Sequence, residues 1–436
     1  DPAVAIAYAI LEDETPLITA ARIVKGYHSV FPLTETEIKV LFPLICMRLA
    51  MSVSIAAFQN TVKPDNEYLK ISQMPIKKTL PAFASIDPLF AEETFLRAAG
   101  LPPSEYIQRV TSFLNSYKNF VPVIKDKMDS SNSTVLDLSI GSPLLNSNVN
   151  ENDAERLSKK LFDYLGSAGL TYGIGRYDEP RYFYTSELFN KANKFGHSRT
   201  VHIGIDIFGK IRTEVFAPFD GKVFAFNYNK DLLDYGHLII LEHETPEKDK
   251  FYTLYGHLSK SSIKGLSAGQ KIKKGNLIAY FGAPEENGGW APHLHFQIII
   301  NPLNKGIDFP GVASPMDKEI WEIFSPDPNI ILNIEPSLFP PKEKSVEETL
   351  VKRKEIMGRN LSIAYNNPVK IVRGWKQYLY DDMGNKYIDS YNNVAHVGHC
   401  HPHVVNAIEK QINVLNTNTR YLHDNILEYA EKLTSY

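Results

Sequence analysis

The sequence predicts a multidomain α+β protein, and three observations carry that expectation. At 436 residues the chain has room for about three domains of ~150 residues each. Its apolar residues follow helical spacing to about residue 120 and alternate as in strands from 196 to about 325. After a linker at 326–350, a mixed strand-and-helix pattern runs from 351 to the end. Composition sets outer limits: 43% hydrophobic residues, 22% charged residues and a formal net charge of −3 exclude a basic nucleic-acid binder or an acidic tail. Cys46 and Cys400 are the only cysteines, too few for a disulfide framework or a Cys-rich zinc module, and they fit a reducing compartment.

Residues 1–120 read as helices. "LTETEIKVLFPL" opens a long one, with Thr34 or Thr36 as N-cap and acidic Glu35 and Glu37 in the first turn. The apolar run Val40–Phe58 approaches bilayer length, but Pro43, Arg48 and its helical patterning make it a core helix rather than a membrane span. "DPAVAIAYAI", "GYHSVFPLTETEIKVLFPLICMRLAMSVSIAA" and "EYIQRV" together resemble the C-terminal lobe of aminoglycoside-phosphotransferase-like kinases, particularly those acting on small hydroxylated amines such as hydroxylysine. The resemblance covers only the end of that fold, and such kinases carry their catalytic and magnesium-binding Asp residues earlier. No kinase site residue therefore transfers to this chain, and ATP and Mg²⁺ are expected only of a full-length parent. An unspecialised helical bundle accounts for the same local pattern.

Residues 121–195 loosen into Ser-, Asn- and Asp-rich sequence and read as a connector with little core of its own. One short helix is expected around "AERLSKKLFDYL". The glycines of "YGIGRY" lack the strand–glycine–helix setting of a phosphate loop.

From 196 to 325 short strands recur between turns, predicting an all-β domain. "VHIGIDIF" (201–208) is apolar at alternate positions, yet it carries His202 and Asp206. Gly204 between them allows the backbone to bend and bring both groups inward. In "PHLHFQIII", His293 and His295 stand two apart on a strand, on one face and about 6.7 Å apart, while Leu294, Phe296 and Ile298 point into the core. Two imidazoles and a carboxylate suit Zn²⁺ with one position open to water, the mark of a catalytic site.

"HIGID", "APFDGKV", "YGHL", "GQKIKKG" and "PHLHFQI" occur in an order and at spacings that resemble lysostaphin-type (LytM-like) zinc metallopeptidases. The resemblance implies that His202, Asp206 and His295 hold zinc. It makes His293 the base beside the attacking water and His257 the group that steadies charge on the tetrahedral intermediate. His237 and His243 receive no ligand role.

"HVGHCHPHV" packs four histidines and Cys400 together, but its flanks read as a hairpin and a helix with Pro402 in the first turn, so an ordinary loop-to-helix junction is expected rather than a metal tract. "AHVGHCHPHVVNAIEKQ" and "LNTNTRYLHDNILEYAEKL" resemble the N-terminal segment of class III pyridoxal-phosphate aminotransferases (fold type I), in the branch holding ethanolamine-phosphate and phosphohydroxylysine phospho-lyases. The cofactor lysine of that fold would lie beyond Tyr436. Pyridoxal phosphate is thus expected only in the full-length parent, which should form a homodimer through this part, and no cofactor-binding residue is assigned here.

The chain opens on Asp1 rather than Met and closes inside a helical pattern, so it reads as an internal fragment of a kinase–peptidase–aminotransferase fusion. Kinase and lyase parts would perform consecutive steps of amino-alcohol or amino-acid metabolism, which places the parent in the cytoplasm. The expected activity of this chain is zinc-dependent hydrolysis of a peptide or amide. The alternative is a central domain that acts only as a non-catalytic spacer or binding module.

Overall fold

A computed structural model describes residues 1–62, 73–151, 153–187, 198–363, 365–391, 396–416 and 420–436. Helices α1 (Pro2–Ala9), α2 (Pro16–His28), α3 (Glu35–Val62), α4 (Gln73–Ala84) and α5 (Pro88–Ala99) close around Ile6, Val24, Ile38, Phe42, Leu49, Phe83 and Phe95. Thr34, not Thr36, caps α3. Glu37 N donates to Thr34 Oγ1 and Thr34 N donates to Glu37 Oε2, a reciprocal pair that satisfies two otherwise orphaned donors. The core-helix expectation for α3 holds on one face: Ile38, Leu41, Phe42, Ile45 and Leu49 are buried, whereas Val40, Leu44, Met47, Met51 and Ile55 are exposed. Among the described residues α3 alone is long and apolar enough to cross a bilayer.

The helical unit ends sooner than composition suggested. Helix α6 (Glu105–Ser116) turns Ile107, Val110 and Leu114 into the core of the β-domain. The Tyr106 hydroxyl meets the carbonyls of Lys250 and Ile300, each at 2.7 Å, and Arg109 pairs with Asp249 at 2.8 Å. An amphipathic face shows that a helix needs a partner without saying which one.

The connector expected over 121–195 is corrected by the structure. Strands β1 (Ser133–Leu136) and β2 (Tyr172–Gly175) extend the main sheet, and α7 (Ala154–Ser167) places Leu157, Leu161 and Leu165 in one buried cluster with Leu136, Tyr182 and Phe183, which also takes in Phe208, Ala291 and Tyr380. The segment's hydrophobes are few but regularly placed, and its polar loops hid them. The expected boundary at 195/196 lies outside the described residues.

The remaining strands are β3 (Glu179–Pro180), β4 (Val201–His202), β5 (Ile205–Phe208), β6 (Glu214–Phe216), β7 (Gly221–Asn229), β8 (Gly236–Glu244), β9 (Lys250–Leu258), β10 (Lys271–Ile272), β11 (Leu277–Tyr280), β12 (His293–Ile299) and β13 (Val312–Ala313). The main sheet runs β1-β2-β5-β12-β9-β8-β7-β10, a small sheet runs β13-β4-β3, and β11 pairs with β6. Only β1 and β2 pair in parallel; the other strand pairs of the main sheet are antiparallel. "VHIGIDIF" therefore belongs to two sheets, β4 in one and β5 in the other, and is buried on both faces. Short helices α8 (Lys318–Phe324) and α9 (Asn329–Leu332) close the domain.

Beyond α10 (Val346–Ile356), strands β14 (Ile371–Trp375), β15 (Tyr378–Asp381) and β16 (Lys386–Ile388) form a separate sheet. It docks through Tyr380, whose ring meets Tyr182 edge-on at 5.3 Å. Arg373 lies over the Tyr182 ring at 4.2 Å and donates to the carbonyls of Ile140 and Ser142. Helices α11 (Pro402–Ile412) and α12 (Asp424–Thr434) bury no residue, and Leu422 between them is 100% exposed.

Candidate metal centre

The antiparallel register places His295 of β12 directly opposite Asp206 of β5, and β4 brings His202 to the same point from the small sheet. One ligand atom from each of the three lies within 4.8 Å of the others. Asp206 Oδ1 is 3.0 Å from His295 Nδ1 and 3.2 Å from His202 Nε2, and the two nitrogens are 3.0 Å apart. His257 and His293 complete the cluster, with ring centroids 4.3 Å apart. None of the five residues is more than 6% exposed.

Gly204 matters for a reason other than bending. A methyl group there would lie 2.4 Å from His295 Cε1 and 2.7 Å from its Nε2, so glycine provides the room in which the His295 ring lies. His257 holds φ 61, a left-handed conformation that costs a non-glycine residue of order 1 kcal/mol and concentrates at functional sites.

Hydrogen bonds fix the tautomer of every ring. A carbonyl oxygen can only accept, so the ring nitrogen facing it carries the proton. His202 Nδ1–H donates to Arg176 O at 2.9 Å, His257 Nδ1–H to Asn287 O at 2.8 Å and His293 Nδ1–H to Ala291 O at 2.6 Å. His295 is reversed. Its Nε2 faces Gln297 Oε1 at 3.0 Å, and the Gln297 amide is oriented because its nitrogen donates to Pro310 O at 3.1 Å and Ser325 Oγ at 2.9 Å. His202 Nε2 and His295 Nδ1 are thus bare lone pairs.

Burial pushes His202 down to about 4, with Arg181 adding to the effect. It also holds His257 well below the ordinary imidazole value, assisted by His293, and it lowers His293. Burial alone would raise Asp206, but His202 whenever it is protonated, and the permanent charge of Arg181, hold the carboxyl well below the usual carboxylate range. Near neutral pH, then, Asp206 is ionised and His202 is neutral.

This donor set fits Zn²⁺. Two lone-pair nitrogens and a carboxylate oxygen face one another at 3.0–3.2 Å with no proton between them, which is repulsive unless a cation lies among them. The corners of that triangle are about 1.8 Å from its centre, so these three residues would hold an ion with the ~2.0–2.1 Å bond lengths that zinc takes to nitrogen and oxygen.

The two remaining histidines keep Nε2 as a proton acceptor, because Nδ1–H of each is held by a backbone carbonyl. This qualifies the expectation that His257 steadies developing negative charge: the neutral ring cannot donate at Nε2 and does so only after taking a proton. His237 and His243 stand apart, His237 stacked on Tyr228 with centroids 4.2 Å apart and His243 between Asp220 O and Thr253 Oγ1. In the "HVGHCHPHV" tract, Pro402 begins α11 and His399 Nε2 pairs with Asp389 Oδ2 at 2.6 Å, as a loop-to-helix junction predicts.

Sequence reading missed the groups behind the ligands: Gln297, and Arg176, Glu179 and Arg181 from the presumed connector. The signal available was the local density of charge in "GRYDEPR", a stretch too short of apolar residues to be read as structured.

Residues 200–307 match peptidase family M23. Residues 362–436 match the class-III aminotransferases. Among solved structures, a zinc-containing peptidase from Vibrio cholerae is 31% identical over 23% of this chain and 27% of its own, with a TM-score of 0.19. The catalytic domain of lysostaphin from Staphylococcus simulans is 28% identical over 27% of this chain and 79% of its own, with a TM-score of 0.21. An alanine–glyoxylate aminotransferase 2-like protein of Drosophila melanogaster is 45% identical over 95 residues, 22% of this chain and 19% of that protein. An ethanolamine-phosphate phospho-lyase homolog of Caenorhabditis elegans is 42% identical over 93 residues, 21% of this chain and 20% of that protein. The chain therefore spans about a fifth of the length of these curated relatives.

Proposed function

We propose that the β-domain is a zinc-dependent peptidase or amidase in which His202, Asp206 and His295 hold the metal and His293 and His257 move protons. The observation that carries the reading is the meeting of three proton-free donor atoms at 3.0–3.2 Å. Zinc at that point supplies carbonyl polarisation and lowers the pKa of water toward ~7. His293 Nε2 accepts the proton of the attacking water. The neighbouring His257 Nε2 is a second acceptor, and whichever ring is protonated becomes the donor to the oxyanion or to the departing amine.

A second reading has its own support. The cavity beside the histidines has only about 40 Å³ and is lined by Leu138, Leu145, Leu157, Phe183 and Trp290, room for a water molecule or two but not for a peptide. A non-catalytic spacer would need no more. On the hydrolase reading, the side chains of Leu138, Leu145 and Leu157 must move aside for substrate to enter.

We further propose that the aminotransferase-like segment, residues 362–436, belongs to a phospho-lyase part, and that the N-terminal helices belong to a hydroxy-amine kinase part of the same cytoplasmic protein. Pyridoxal phosphate and ATP–Mg²⁺ serve those parts, and pairing of two copies occurs through the aminotransferase part. His293→Ala tests the hydrolase assignment: it should retain zinc and lose cleavage of a peptide library that the parent cleaves. Loss of zinc in that variant would exchange the roles of His293 and a ligand, and absence of any cleavage by the parent would favour the spacer.

A further inference from the structure

Behind the metal ligands, a file of alternating charges leads from Asp206 to the surface through the segment that precedes β4. Arg181, 5% exposed, donates through Nη1 to Asp206 Oδ2 at 2.6 Å and through Nε to Glu179 Oε2 at 2.9 Å. Glu179 Oε1 accepts from Arg176 Nε at 2.9 Å, and Arg176 Nη2 reaches Asp137 Oδ1 at 3.2 Å. Space for the inner guanidinium is built in: a methyl group on Gly175 would lie 2.5 Å from Arg181 Nη2 and 3.2 Å from Asp206 Cβ. Arg181, Glu179, Arg176 and Gly175 all precede the 200–307 stretch that matches the peptidase family.

We propose that Arg181 is a positioning residue that makes Asp206 a one-oxygen metal ligand, an inference that rests on the zinc reading above. A free carboxylate offers a cation either one oxygen or both. Here Oδ1 faces His202 and His295, while Oδ2 is committed to a charge-assisted hydrogen bond in a buried setting, where such bonds are strongest. For Oδ2 to turn toward the ion, Arg181 would have to give up its bond inside the protein and leave a buried charge short of a partner. Glu179 prevents the opposite failure, withdrawal of the guanidinium, by holding Nε from the other side. Arg176 joins both tasks: its guanidinium steadies Glu179, and its carbonyl accepts the His202 Nδ1–H that sets that ligand's tautomer. Residues 176–181 thereby orient two of the three ligands, and limiting Asp206 to one oxygen leaves a coordination position for water or substrate.

Cobalt(II) substituted for zinc in the full chain reads the coordination number directly, because four-coordinate cobalt absorbs visible light severalfold more strongly than the five-coordinate ion. The parent should show the intense spectrum. Arg181→Ala should lose most of that intensity as Asp206 turns both oxygens to the metal, with cobalt still bound at one equivalent. If Arg181→Ala does not fold, as judged by circular dichroism, Glu179→Gln decides: it keeps the shape of the site, loosens Arg181 and should weaken the spectrum in the same direction. An unchanged spectrum in a folded Arg181→Ala, or in Glu179→Gln where the first variant is unfolded, overturns the positioning role and leaves the zinc reading intact. A parent that takes up neither cobalt nor zinc overturns the zinc reading itself.

Discussion

Gln297 offers the sharpest test of how the site is built, because it touches neither substrate nor metal yet determines which nitrogen of His295 is bare. It is fully buried, accepts from His295 Nε2–H at 3.0 Å and donates to Pro310 O and Ser325 Oγ. Replacement by Leu leaves the His295 N–H and the Pro310 carbonyl without that partner. Ser325 keeps its own bond to Ile298 O at 2.8 Å. Two orphaned groups at ~1–3 kcal/mol each, partly offset by the added apolar contact of Leu, amount to about 2–4 kcal/mol of lost stability. Loss of a partner that orients a metal-binding imidazole lowers metal affinity by about 10- to 100-fold, or ~1.4–2.8 kcal/mol. Gln297→Glu separates the two effects: its carboxylate still accepts from His295 Nε2–H but opposes the Pro310 carbonyl, so it should keep zinc affinity while losing stability. Chelator competition and denaturant unfolding measure the two quantities. A folded Gln297→Leu protein that binds zinc within about twofold of the parent would refute the tautomer argument.

His243 is held down to about 4 by burial. The unfolded chain therefore takes up its proton below ~6.5 while the native state does not, and stability falls as pH drops from 6.5 toward 4. The contribution between pH 7 and pH 4.5 is on the order of 2–3 kcal/mol, and zinc-free His243→Gln should lose that much less than the parent in denaturant titrations at those two pH values; equal losses would contradict it. Gly204→Ala drives a methyl group into the His295 ring at 2.4 Å, so thermal unfolding should show about 1–3 kcal/mol of destabilisation together with loss of zinc; retained metal at parental stability would show that the ring has room to move. Hydrogen exchange should find α11 and α12, which bury nothing, nearly unprotected beside a well-protected β-domain, with the Tyr380 sheet between the two extremes. Uniform protection through residue 436 would mean that this tail is held by something other than the contacts seen here.

The parts of the site that were legible in the sequence are those encoded by local period. Two histidines two apart on an apolar strand must share a face, and Gly204 lets His202 and Asp206 turn inward; His257 and the division of roles came from the resemblance of "HIGID", "YGHL" and "PHLHFQI" to lysostaphin-type peptidases, and all five residues are found together. The supporting charges were not legible. Arg181 lies 25 residues before Asp206, in a stretch whose loops outnumber its hydrophobes, and no periodicity reports a long-range ion pair. Gln297 sat in plain view within "PHLHFQI", but on β12 it reads as one more alternating residue until the bonds of its amide are known. The same limit explains α6, whose amphipathic face predicts a partner without distinguishing the helical core from the sheet, and α3, which reads as a core helix yet leaves Val40, Leu44, Met47, Met51 and Ile55 exposed.

Elemental analysis of metal in the purified chain tests the central claim most directly. The account predicts about one zinc per chain in the parent and none in His295→Ala, with the β-domain of that variant still folded because Leu294 and Phe296, both fully buried, supply the core contacts of β12. Equal zinc in the two proteins, or a parent that holds no zinc after exposure to the metal, would contradict it.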